Sequence, residues 1–496
     1  MAEVRESCGI VGAIREEGDV ARNIWLGLLA LQHRGQEACG IYTLDGTRFS
    51  HRKQLGLVGN AETFDDLKGK IGIGHVRYST VGQPAGEEIL ADPIKIEDFA
   101  QPFFSDRPRG GIAICHNGNL VNFPALSNEL RSNGTFLSAT CDAEVMLKIL
   151  SNELSNANDL ERSVRNCMAK FEGAYSLAAL TGTGELIAFR DPQGFRPLCF
   201  GESNGLLMFA SESVALDING IHSYSNVNPG ELVLVRDGQA PVRKQLVQAP
   251  HHAHCMFEYV YFSRPDSTIE GKDVYSVRIR LGINLARTYK THADVIVPVP
   301  DTARPAAEGI SRETGIPVLE GLIKNRYIGR TFIMPDQQGR DNAVRLKLNA
   351  IHAVVDGKNV LLVDDSIVRG TTMRKIVNLL REAGASHVEV WVTCPPIKSP
   401  CFYGIDMATY GQLIGSRHTA EEIAEIIGAD AVCYQSIDNL VKATGFTQDQ
   451  LCLACVTGKY PTPLAQKIAD EMKKKFLEGY EETGRIYEVA QTIQGA

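Results

Sequence analysis

VLLVDDSIVRGTT, residues Val360–Thr372, opens with four apolar residues that predict a buried strand and follows them at once with two carboxylates, Asp364 and Asp365. A turn of hydroxyls and glycine comes next, from Ser366 to Thr372. Beyond it Met373, Ile376, Leu379 and Leu380 recur at helical spacing, and Gly384 stands where a C-cap belongs. The stretch therefore reads as strand, acidic pair, small-residue loop and helix N-terminus. Such a loop offers unpaired N–H groups and the positive end of a helix dipole, which suits a phosphate. Adjacent carboxylates at the end of a strand can hold a ribose diol or a magnesium ion. Together they call for a sugar phosphate with free hydroxyls. Taken alone, an acidic pair after a strand is also an ordinary βα turn of a parallel sheet.

The thirteen residues as a whole resemble the signature of the type I phosphoribosyltransferases, an α/β family that binds 5-phosphoribosyl-1-pyrophosphate (PRPP). The resemblance implies that Asp364 and Asp365 contact the ribose hydroxyls and hold Mg2+. It also implies that Ser366, Arg369, Gly370, Thr371 and Thr372 grip the 5′-phosphate. Upstream, Val295–Pro300 is an apolar strand ending in Asp301-Thr302-Ala303-Arg304. In that family a loop here holds the pyrophosphate near magnesium, which adds Asp301 and Thr302 to the PRPP contacts. Relatives often carry Ser where this chain has Ala303, so any metal contact there falls to backbone or water. Lys324–Lys347 holds six Lys/Arg against two Asp, with two glycines. By composition it is a basic surface patch. By resemblance it is a lid over the pyrophosphate, with Lys324, Arg326, Tyr327, Arg330 and Lys347 as contacts.

The first half is organised from Cys8. Read alone, Cys8-Gly9-Ile10-Val11-Gly12 is a buried cysteine entering a strand. Three more stretches follow: Leu31–Glu37 (LQHRGQE) closing an apolar helix, Gly74–Thr80 (GHVRYST) with arginine and hydroxyls after a strand, and Ile112–Leu120 (IAICHNGNL) running from a strand into a polar turn. The alternation is that of an α+β sandwich. In this order the motifs resemble the class II glutamine amidotransferase domain, a four-layer αββα N-terminal-nucleophile hydrolase. The resemblance implies that the Cys8 thiolate attacks the glutamine carboxamide with its own α-amino group as base. An α-amino pKa of about 7.7–8.0 suits that transfer. Arg77 would pair with the glutamine α-carboxylate through its guanidinium fork, Asp142 would hold the α-amino group, and Asn117 and Gly118 would form the oxyanion hole. Asp142 also reads simply as an acid at a helix N-terminus. Because the base must be the terminal amine of Cys8, Met1–Ser7 are expected to be removed as a propeptide. Cys39, Cys115, Cys141, Cys167 and Cys199 read as structural, and Arg190–Leu198 and Ser211–Ser213 as structural or interface segments.

The bounds are those of a soluble multidomain protein. The chain has 496 residues, 44% hydrophobic and 22% charged, with a net charge of −8 and twelve cysteines. Nothing here indicates a nucleic-acid or membrane-surface binder, a transmembrane span or a signal peptide. The expected location is cytoplasmic, or plastid in a plant. The expected division is a propeptide (1–7), a glutaminase domain (8–235), a linker (236–254), a phosphoribosyltransferase domain (255–462), and a C-terminal helix and tail (463–496). Within the linker, His251, His252 and His254 could bind metal, but read better as a solvated loop.

Cys452-Leu453-Ala454-Cys455 is a CxxC, open by spacing to zinc, redox or iron–sulfur chemistry. The whole chain resembles the amidophosphoribosyltransferases. One branch of that family carries a 4Fe–4S cluster on cysteines in CFEY-like, PCFYG and CLAC contexts, which here are Cys255, Cys401, Cys452 and Cys455. The resemblance further implies transfer of glutamine nitrogen to PRPP through an apolar channel formed when PRPP binds, feedback inhibition by purine nucleotides, and a homotetramer. Two alternatives remain at this level. One is another class II amidotransferase, such as the asparagine- or glucosamine-forming enzymes, whose synthetase halves lack VLLVDDSIVRGTT. The other is a PRPP-binding regulator, against which the intact glutaminase residues stand.

Overall fold

The central strands of the first half, such as Gly9–Arg15, Ile71–Arg77 and Gly173–Thr181, carry small and branched apolar residues and bury both of their faces. The computed structural model describes residues 8–78, 100–138, 141–157, 159–325, 348–405, 407 and 409–480. β1 (Gly9–Arg15), β2 (Ala38–Asp45), β3 (Arg48–Leu55), β4 (Ile71–Arg77), β9 (Cys199–Ser203), β10 (Leu206–Ala210) and β11 (Tyr224–Asn226) form one sheet in the order β11-β9-β10-β1-β4-β2-β3. β5 (Phe103–Ser105), β6 (Ile112–Leu120), β7 (Gly173–Thr181), β8 (Glu185–Arg190), β12 (Glu231–Arg236) and β13 (Val242–Gln245) form the other, in the order β13-β12-β8-β7-β6-β5. Ile10, Ile73, Phe209, Ala178 and Leu180 meet between the sheets. The outer face of the first sheet takes helix Ala21–Ala30 through Ile24 and Leu28. The outer face of the second takes helices Asp142–Ala157 and Leu160–Lys170 through Met146, Leu150 and Val164. The result is the expected αββα sandwich.

Two details of the sandwich differ from the sequence reading. The stretch Ile112–Leu120 is strand throughout, because the HNGNL residues pair with β7 and are buried rather than turning outward. The second sheet also continues past residue 235. β13 pairs with β12 inside the stretch read as a connection, and its exposed VRKQ sequence has no apolar alternation to announce a strand.

The second half centres on four parallel strands, β17 (Val295–Pro298), β20 (Asn359–Asp364), β21 (His387–Val392) and β22 (Ala431–Tyr434), in that order. Their near-continuous apolar runs are what a sheet covered on both faces needs. Ile296, Leu361 and Trp391 meet helices Val274–Thr288 and Arg304–Thr314 on one face. Val360, Leu362 and Val390 join the cluster containing Met373 and Ile376 of helix Thr371–Glu382 on the other. That cluster runs without a break into the sandwich, through Phe195, Leu232 and Phe257. Two short strands, β14 (His254–Cys255) and β23 (Leu451–Cys452), pair in parallel at the join. His254 is buried there rather than solvated, with its Nδ1 2.9 Å from Gly194 O, and burial pulls its pKa down to about 4.

Candidate active sites

Cys8 stands just before β1, where pairing with β4 brings it beside Tyr78. The Tyr78 N–H donates to Cys8 Sγ at 3.4 Å, and the thiol donates to Tyr78 O at 3.3 Å. Burial pushes the Cys8 pKa up to about 11, against the lowering effect of the Tyr78 backbone and the Arg77 charge. The thiol is thus protonated at neutral pH and needs a base beside it. Arg77 ends β4, is buried, and lies 3.5 Å from Glu37 Oε2, a partner that the sequence reading left unassigned.

Asp142 opens its helix and is buried. It accepts the Leu120 N–H at 3.1 Å and faces His116 Nε2 at 3.7 Å. Burial keeps His116 neutral despite Asp142. His75 Nε2 lies 3.2 Å from His116 O, which joins the two sheets behind the site. Asn117 and Gly118 occupy the middle of β6, opposite Ser176 and Tyr175. Gly118 has φ +144°, and a Cβ there would sit 1.9 Å from Ala174 O, so only glycine allows β6 and β7 to pack this closely. Both sheets and the first turn of a helix therefore converge on one cysteine.

The second site lies at the carboxyl ends of β17 and β20, where ligands of open α/β sheets bind. Asp365 is buried. Its Oδ2 accepts the Thr302 hydroxyl, and its Oδ1 accepts the Ser366 hydroxyl at 2.8 Å. Burial pushes the Asp365 carboxyl up, opposed by those two hydroxyls and by the Arg278 charge. Asp364 Oδ1 accepts the Asp365 N–H at 2.9 Å. Arg278, missed in the sequence, is buried on its helix and donates to the Tyr259, Tyr261 and Ser263 carbonyls. Residues Ser366–Gly370 lead into the helix that starts at Thr371, with Arg369 exposed and donating to Gln412 Oε1 at 2.8 Å. Lys324, the last residue of strand Leu322–Lys324, reaches Asp301 Oδ2 at 3.4 Å. Ala303 is buried as the N-cap of helix Arg304–Thr314. Arg326, Tyr327, Arg330 and Lys347 lie outside the described residues, as do Met1–Ser7 and the tail after residue 480.

The four cysteines read as a cluster come from three segments. β14 and β23 set Cys255 opposite Cys452. The N–H groups of Lys398 and Ser399 both donate to Cys455 O, at 2.8 and 3.0 Å, which draws the Cys401 loop to the CLAC turn. All four are free thiols, each pushed up by burial.

A buried ion network joins the two halves of the protein. Glu258 accepts from Arg34, from Arg196 at 3.1 Å and from Ser263 at 2.7 Å. Arg34 also binds Glu212, which takes the Ser267 hydroxyl at 2.6 Å and the Arg264 N–H at 2.9 Å.

A glutamine amidotransferase domain model matches residues 88–218, and a phosphoribosyl transferase domain model matches residues 271–400. An amidophosphoribosyltransferase of Methanothermobacter thermautotrophicus is 45% identical over 95% of this chain and 97% of that protein. One of Methanocaldococcus jannaschii is 47% identical over 92% of this chain and 98% of that protein. A solved structure of glutamine PRPP amidotransferase from Bacillus subtilis, complexed with ADP and GMP, superposes with a TM-score of 0.83 at 41% identity. It covers 92% of this chain and 98% of the other.

Proposed function

The chain belongs to the amidophosphoribosyltransferase family, and from that membership we propose how its residues divide the reaction. Glutamine, PRPP and water become 5-phosphoribosylamine, glutamate and pyrophosphate, the first step of purine nucleotide synthesis. One observation supports the assignment: a half-buried Cys8 just before β1 and the Asp364–Asp365 pair at the carboxyl end of β20 stand in two halves joined by one continuous core.

At the first site, Arg77 and Asp142 fix the α-carboxylate and α-amino group of glutamine. The terminal amine of Cys8, freed by loss of Met1–Ser7, takes the thiol proton. The thiolate adds to the carboxamide carbon, and the developing oxyanion is met by the Asn117 side chain and the Gly118 N–H. The terminal ammonium returns that proton to the departing nitrogen, so ammonia leaves as the thioester forms, and water then releases glutamate. A thiol with a pKa near 11 makes that internal base necessary.

At the second site, Ser366 and the turn through Thr372 hold the 5′-phosphate, Asp364 and Asp365 orient the ribose, and Asp301, Thr302 and Lys324 face the pyrophosphate. Ammonia forms the new C1–N bond as the C1–O bond to pyrophosphate breaks. Hard oxygen donors at the strand ends fit Mg2+, and Asp364 and Asp365 would hold it; when bound it neutralises charge on the departing pyrophosphate. The protein's own part is position, through Thr302 and Ser366 on Asp365.

Cys255, Cys401, Cys452 and Cys455 would hold a 4Fe–4S cluster. Three buried thiols and the half-buried Cys255, from three segments, fit that donor set, and such a cluster would pin the segments together. Among the described residues no three His, Cys, Asp or Glu side chains are grouped to hold a single ion. Purine nucleotides as feedback inhibitors, a homotetramer and a cytoplasmic location complete the reading. In support, a related structure holds ADP and GMP, and no described helix is long and apolar enough to cross a membrane.

The test is anaerobic glutamate release from glutamine, with and without PRPP and Mg2+. Release that rises with PRPP and matches pyrophosphate one for one is expected. Release indifferent to PRPP would refute the pairing of the sites.

A further inference from the structure

We propose that Phe402, Tyr403 and Gly404, a loop of the phosphoribosyltransferase half, position the oxyanion hole of the glutaminase half, with Gly404 and Asn119 as positioning residues. The inference rests on the glutaminase role given to Gly118 above.

Each of the three residues engages the sandwich separately. Phe402 O accepts from Asn119 Nδ2 at 2.9 Å, and both groups are buried. Tyr403 O accepts two bonds from the buried Arg196, from Nε at 3.1 Å and Nη2 at 2.7 Å. The Tyr403 ring stacks on Phe195 with centroids 4.2 Å apart. Gly404, at φ +94°, lies directly against Gly118. A Cβ on Gly404 would stand 2.8 Å from Gly118 C and 3.0 Å from its Cα and O.

Gly118 is therefore clamped. On one side the Ala174 carbonyl of β7 leaves no room for a side chain on Gly118, and on the other the Gly118 backbone leaves none for a side chain on Gly404. The orientation of the peptide at Gly118 is set by contacts from both halves of the protein. An oxyanion donor works only when its N–H stands about 2.7–3.1 Å from the position the oxygen takes in the transition state. A displacement of a few tenths of an ångström would weaken that contact and leave ground-state binding through Arg77 and Asp142 intact. The far end of the loop is Cys401, tied to the CLAC turn through Lys398 and Ser399. Whatever holds the cysteine segments together thereby also holds the glutaminase in its competent form.

The experiment compares wild type, Gly404→Ala and Asn119→Ala as full-length protein, with glutamine or ammonia as nitrogen donor. The glutamine-driven kcat is expected to fall tenfold or more. KM for glutamine and the ammonia-driven rate should stay within twofold of wild type. Asn119→Ala removes one hydrogen bond and adds no bulk, so it carries the test if Gly404→Ala does not fold. Equal loss of both rates would mark a merely structural contact and overturn the proposal. So would an unchanged glutamine rate, or a loss confined to KM. A wild type unable to use ammonia would instead refute the underlying assignment, a result visible before any variant is made.

Discussion

Replacing Glu258 with Gln keeps shape and removes one charge from the buried network. In the wild protein, Arg34 and Arg196 face Glu212 and Glu258, two guanidiniums against two carboxylates, all essentially without solvent access. The variant leaves two cations on one anion. Breaking a buried pair by removing one partner costs about 3–5 kcal/mol, because the remaining charge stays desolvated. An unfolding entropy of roughly 2.1 cal/mol/K per residue converts this to a Tm lowered by about 3–5 °C for a chain of this length unfolding as one unit. The exposed Arg52–Asp66 pair is the control: Arg52→Ala should cost about 1 kcal/mol or less. The pH dependence adds a second check. Burial alone would raise the Glu258 carboxyl, but Arg34 and Arg196 hold it below the ordinary carboxylate range. Its contribution is therefore present above the unfolded glutamate pKa of about 4.3 and is lost as pH falls through the lower folded value. Glu258→Gln should show a shallower loss of stability in that acid range. Differential scanning calorimetry across pH reads both. A variant melting within 1 °C of wild type, with the same acid slope, would refute the reasoning.

Three further outcomes are expected. With Met1–Ser7 still attached, Cys8 should alkylate with iodoacetamide about two orders of magnitude more slowly at pH 7 than a free thiol, and the rate should climb as pH approaches 11; a rate like that of free cysteine would contradict the burial effect. Thr302→Val strips one donor from Asp365, so its carboxyl should rise further. The acid limb of the ammonia-driven pH profile should then move to higher pH, with KM for PRPP raised about tenfold; superimposable profiles would count against the contact. Cys455→Ser, purified without oxygen, should lose iron and acid-labile sulfide in equal amounts, and retention of both would remove Cys455 from the donor set.

Where short-range pattern and chemistry coincide, the sequence was sufficient. The VLLV run, the acidic pair and the helix behind them are contiguous, and β20, its loop and its helix follow directly. Cys8, Arg77 and Asp142 stand in contiguous motifs, and strand pairing or a helix start fixes the place of each. HNGNL misled because polar residues with a glycine imitate a turn, whereas here they are buried residues of a strand paired with β7. The segments that carry the ion network read as structural or interface stretches, but its pairing did not show: residues 34, 196, 212 and 258 are too far apart in the chain for any local period to relate them. Arg278 was hidden for a similar reason, on an ordinary amphipathic helix whose buried face carries one charge.

That seam also bears on how such a protein can be inherited or rebuilt. Arg34, Arg196 and Glu212 belong to the sandwich, and Glu258 to the other half. Separated, the sandwich would keep two guanidiniums against one carboxylate and an open face at Gly118 where Gly404 had been. Neither half is a portable cassette. A gene fusion that joined this sandwich to a different acceptor domain would have to import a carboxylate at the place of Glu258 and a glycine loop at that of Gly404. Recombination at this join is constrained from both sides, so substitutions across it must be accepted in pairs.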